Sequence, residues 1–97
     1  MTAINNLTQA ERIAETFGVV LGAASQCEQV TEERLNSVAV KARHAVLATA
    51  IDAADAEAAE ELFSAAVEAG RTAVESGTID AGSVETALNE METRFSL

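Results

Sequence analysis

No proline, tryptophan or tyrosine occurs among the 97 residues, which also hold only three phenylalanines, one cysteine and one histidine. Each scarcity removes a class of molecule. A single cysteine, Cys27, has no partner for an internal disulfide, so the cross-linked framework of small secreted domains is excluded. One histidine, His44, cannot furnish the two Glu-x-x-His motifs of a carboxylate-bridged di-iron bundle. Neither Cys27 nor any serine sits in a recognisable nucleophile motif, so His44 has no hydrolase relay to join and reads as an ordinary helix residue near a carboxylate. Long apolar runs are also missing. The longest, Phe17 to Ala24, is eight residues and far too short to span a bilayer. The N-terminus has no Lys or Arg before Arg12, and Glu11 and Glu15 fall where a signal peptide needs apolar residues, so a cytoplasmic protein is expected.

Basic residues are scarce too. Six Lys and Arg stand against 16 Asp and Glu, for a net charge of −10. Such a surface repels nucleic-acid phosphates and anionic lipid, so direct nucleic-acid or membrane binding is not expected; basic proteins or cations are the partners that charge favours. The same charge also serves to keep an alanine-rich chain soluble. Alanine supplies nearly half of the 48% hydrophobic residues. A core built on it is thin, its helices must lie close together, and the burial energy falls on Ile13, Phe17, Val20, Leu21, Leu35, Val38, Leu62, Phe63, Leu88, Met91 and Phe95. Loss of Phe17 or Phe63 to alanine is expected to cost about 3–5 kcal/mol.

What is present is helical periodicity throughout, with no strand-like alternation. After a loose lead-in over residues 1–7, Thr8-Gln9-Ala10-Glu11 has the form of a capping box, and Ala10, Ile13, Ala14, Phe17, Val20, Leu21 and Ala24 share one arc of a helix over about 9–25. Gly18 and Gly22 lie beside that arc, marking either close approach of another backbone or a cost that packing tolerates. Cys27 extends the same side and reads as a small buried hydrophobe. A second helix, about 31–51, is capped by Thr31 with a Val30–Leu35 staple. It carries two apolar strips. Leu35, Val38, Ala39, Ala42, Ala45 and Val46 form the main one; Val40, Leu47 and Ile51 form another. With neighbours expected on two sides, this is the helix around which the other three should be arranged.

No glycine or proline separates that helix from the next, so one rod from Thr31 to Ser76 is conceivable. The apolar arc after Asp55, however, is rotated by roughly 90° from the arc before Ile51, at 100° per residue. One straight helix cannot bury both arcs against the same partner, and Asp52 and Asp55 are good N-caps, so the chain is expected to fold back there. A third helix, about 53–76, buries Ala56, Ala59, Leu62, Phe63, Ala66, Val67, Gly70, Ala73 and Val74 and ends at Gly77. A fourth, about 81–95, is capped by Asp80, stapled by Ile79 and Val84, and buries Val84, Ala87, Leu88, Met91 and Phe95. Connections this short join antiparallel neighbours. The expectation is a single all-α domain, a small four-helix up-down-up-down bundle with an alanine-rich core.

No cofactor or metal is expected. Asp52, Asp55 and Glu57 have the wrong spacing for a calcium loop, and no glycine-rich phosphate cradle is present. An acyl carrier protein is likewise small, acidic and helical, but its Asp-Ser-Leu attachment signature is absent, and the nearest segment, Asp80-Ala81-Gly82-Ser83, stands before the last helix. Two surfaces stand out instead. Glu57, Glu61, Glu68 and Glu75 draw a line of negative charge about 27 Å long on the third helix. It is either a solvated face interrupted by Arg71, or a partner-binding face on which the protein acts as an acidic inhibitor, imitating a nucleic-acid backbone in a basic site. Val40, Leu47 and Ile51 are either covered by the first or fourth helix or form the contact of a homodimer. The functional expectation is a non-enzymatic protein acting through protein–protein contacts, an interaction or assembly module, with the acidic inhibitor as the alternative.

Overall fold

The described residues form four helices: α1 (Gln9–Ala24), α2 (Glu32–Thr49), α3 (Ala53–Glu75) and α4 (Ala81–Phe95). The structure is a computed structural model and describes residues 7–28 and 30–95. The expected lead-in therefore falls almost wholly outside the described residues, as does the side chain of Phe95. Among the described residues there are no strands.

Each helix begins where a side chain can take up free backbone donors. Thr8 Oγ1 accepts from Glu11 N at 3.2 Å while Glu11 Oε1 accepts from Thr8 N at 3.0 Å, a complete capping box. Thr31 Oγ1 accepts from Arg34 N, Asp52 Oδ1 from Asp55 N and Asp80 Oδ1 from Ser83 N. The chain does fold back between α2 and α3. Helix α2 stops earlier than its periodicity predicts, at Thr49; Ala50 is extended (ψ 140°) and Asp52 more so (φ −153°, ψ −177°). Helix α3 ends in a Schellman motif. Gly77 takes φ 80°, its N–H donates to Val74 O, and Thr78 N donates to Ala73 O.

The central helix is α1, which corrects the expectation of an arrangement around α2. Helix α1 packs most extensively on the others, above all on α3; α2 meets α3 and α4 only sparsely, and α3 and α4 scarcely touch. The reason is the glycines. Gly18 and Gly22 face α3, where a Cβ on Gly18 would come within 2.6 Å of Ala66 Cβ and 2.7 Å of Phe63 O, and one on Gly22 would overlap the Val67 carbonyl. From the other side, a Cβ on Gly70 would overlap the Val19 carbonyl. These positions advance together along both chains, from Thr8 beside Asp55 to Val19 and Ala23 beside Gly70, so α1 and α3 run parallel at backbone contact. Helix α4 runs antiparallel to α1: Thr16 and Phe17 lie by Met91 and Arg94, and Ala23 by Ile79 and Ser83. Helix α2 carries the chain from the end of α1 back to the start of α3, completing the alternation.

The core holds Phe17, Leu21, Val38, Val46, Val84, Leu88 and Met91 among many alanines. Ile13, Val20, Leu35, Leu62 and Phe63, expected to carry much of the burial, are only half-buried. Of the nine positions on the apolar face of α3, only Ala59, Ala66 and Gly70 are buried. Backbone contact with α1 covers a narrow stripe and leaves both flanks of α3 partly open. The molecule is correspondingly flat, 38 × 32 × 18 Å.

Candidate interaction surfaces

Helix α2 presses Val38, Ala42 and Val46 inward and turns the opposite side to solvent. That outer side carries the strip foreseen from sequence. Val40 is 57% exposed, Leu47 40% and Ile51 78%, and these are the only exposed large hydrophobic residues among those described. Neither α1 nor α4 covers them. Val40 and Leu47 share a helical face, seven residues and thus two turns apart. Ile51 does not continue it, because the helix has ended; it projects from the turn, its N–H donating to Asp55 Oδ2 at 2.9 Å. His44 is exposed on the same helix. No carboxylate occurs from Arg34 to Ile51, an island in a chain of net charge −10.

Glu57, Glu61, Glu68 and Glu75 are all exposed along α3, on the side turned away from α1. Glu68 is not bare: its Oε2 accepts from Arg71 Nη1 at 3.2 Å, one turn on, so the row is locally neutralised. Between α2 and α3 lies an open cleft of about 450 Å³ lined by Val46, Phe63, Ser64 and Val67 and bordered by Arg43, Glu60 and Glu68. Arg43 bridges it, donating to Glu60 Oε1 at 2.6 Å. Sequence reasoning missed this cleft, because Phe63 and Val67 sit on an apolar arc that looks fully buried unless the narrowness of the glycine contact is known.

Several polar groups are fixed. Thr8 Oγ1 donates to Asp55 Oδ1 at 2.7 Å, so Asp55 holds the start of α1, the turn and the start of α3 in one clasp. Those bonds, Thr8 first, lower the Asp55 pKa. Asp80 is lowered by the Ser83 backbone N–H and hydroxyl. Arg34 grips Glu92 with Nε and Nη2 and also reaches Asn89, tying α2 to α4 and lowering the Glu92 pKa. Cys27 is buried, its Sγ 3.6 Å from Ala23 O, and burial together with the charge of Glu85 raises its pKa, the opposite of an activated thiol.

Among the described residues, no group of three or more His, Cys, Asp or Glu is placed to hold a metal ion, and no helix is long and apolar enough to cross a membrane. Comparison with known protein families, curated proteins and solved structures found no match to this chain.

Proposed function

We propose that the protein is a non-enzymatic interaction or assembly module of the cytoplasm that acts through protein–protein contact, and that it pairs with a second copy of itself through the outer side of α2. The observation that carries this reading is the exposure of Val40 and Leu47 on α2 and of Ile51 just beyond its end, all within the longest stretch of sequence without carboxylates. Two copies of charge −10 repel wherever their acidic surfaces meet, and the stretch from Arg34 to Ile51 is where they repel least. Light scattering should give twice the monomer mass, and Leu47→Glu, which sets a charge in the strip, should return the protein to monomer. A dimer that survives Leu47→Glu places the contact elsewhere.

A second reading has its own support in the exposure of Glu57, Glu61, Glu68 and Glu75 along one side of α3. On it the protein is an acidic inhibitor that occupies a basic site on a nucleic-acid-handling protein. Salt separates the two readings, with opposite sign.

A further inference from the structure

The contact that organises the molecule is α1 on α3, yet the two helices are joined through α2 and a turn of only three residues, Ala50–Asp52. We infer that α3 can leave its own α1 and dock on the α1 of a second copy, giving an exchanged dimer in which residues 32–75 form one continuous helix. This goes beyond the self-association proposed above: here the α1–α3 contact joins the copies, so an exchanged dimer survives Leu47→Glu, whereas one held by the strip on α2 does not.

Five considerations point the same way. The turn contains no glycine or proline; Ala-Ile-Asp is flanked by Ala48, Thr49, Ala53 and Ala54, residues a helix accepts, so little but Ala50 and Asp52 being extended interrupts the rod. What would be exchanged is α3 together with α4, which follows it after five residues; both pack mainly on α1, and the Arg34–Glu92 pair between α2 and α4 would re-form between copies. An exchanged pair re-forms every glycine contact, the Thr8–Asp55 bond and the sparse α2–α3 contact between copies, and loses mainly the Asp52 cap and the bond from Ile51 N–H to Asp55. The roughly 90° offset between the two apolar arcs forbids a rod that serves one α1, but suits a rod whose first half lies on its own α1 and whose second half lies on another. In that rod Ile51, the most exposed large hydrophobic residue among those described, also returns to the helical face of Val40 and Leu47, within about 40° of both.

The test places cysteines at Thr8 and Asp55, whose side chains touch, in a Cys27→Ala background, and oxidises the protein at high concentration. Exchange gives a covalent dimer on a non-reducing gel, abolished by reductant. Dimer mass in solution with only an internally cross-linked monomer on the gel overturns the exchange and leaves self-association standing. Monomer mass at every concentration overturns both. As a second arm, Asp52→Ala removes a cap that only the folded-back form needs. It should tighten dimerisation roughly 25-fold, about fivefold for each of two caps, and an unchanged dimerisation constant overturns the exchange.

Discussion

At the scale of single residues, the glycines decide how closely α1 and α3 can meet. Hydrogen is the only side chain that fits at Gly22, because a Cβ there would occupy the position of the Val67 carbonyl oxygen. Gly22→Ala should therefore force α1 and α3 apart and cost about 2–4 kcal/mol, read as a fall in melting temperature of about 10 °C or more. Were the glycine merely tolerated, the same change would stabilise the helix by about 1 kcal/mol, so even the sign is decisive. This contact was half legible in the sequence. The four-residue spacing of Gly18 and Gly22 advertised a close approach, but Gly70 looked like one more small residue on an apolar face, because which helix meets which is a property of the fold. The same gap misplaced Phe63. Its periodicity is that of a core residue, but it borders an open cleft, so its loss to alanine should cost less than the 3–5 kcal/mol expected at the buried Phe17.

Among the elements, the helix ends were read best, since a cap is local chemistry. Thr8, Thr31, Asp52 and Asp80 all accept the backbone donors their spacing assigned to them. What spacing could not show is that Asp55 also reaches Thr8 across to α1, which joins the ends of two helices and the turn. This has a consequence for acid stability. Asp55, Asp80 and Glu92 all have pKa values lowered in the folded state, so each favours folding above its unfolded value, near pH 4, and that contribution is lost as pH falls through the folded values. The melting temperature should hold steady from pH 7 to about 5 and decline below about pH 4. Asp55→Asn should lower it at pH 7 and flatten the acid decline. A decline equally steep in the variant would mean that Asp55 contributes nothing to it.

For the whole molecule, charge and shape pull in different directions. A slab 18 Å thick has little interior, and its exposed apolar groups favour contact, while a net charge of −10 opposes contact with any acidic body, including another copy. Salt weakens only the second tendency, because the Debye length falls from roughly 30 Å at 0.01 M to about 8 Å at 0.15 M. Self-association should accordingly tighten several-fold across that range, since what is screened is repulsion. An acidic inhibitor bound to a basic site must behave in the reverse way: its attraction is screened, binding collapses between low and moderate salt, and Glu61→Lys with Glu68→Lys should abolish it. Of that pair, Glu61 should matter more, because Glu68 is already held by Arg71. Sedimentation of the protein alone at both ionic strengths, beside capture of a basic partner under the same conditions, gives two slopes. Dimerisation that weakens with added salt would mean that opposite charges, and not the strip on α2, hold the copies together.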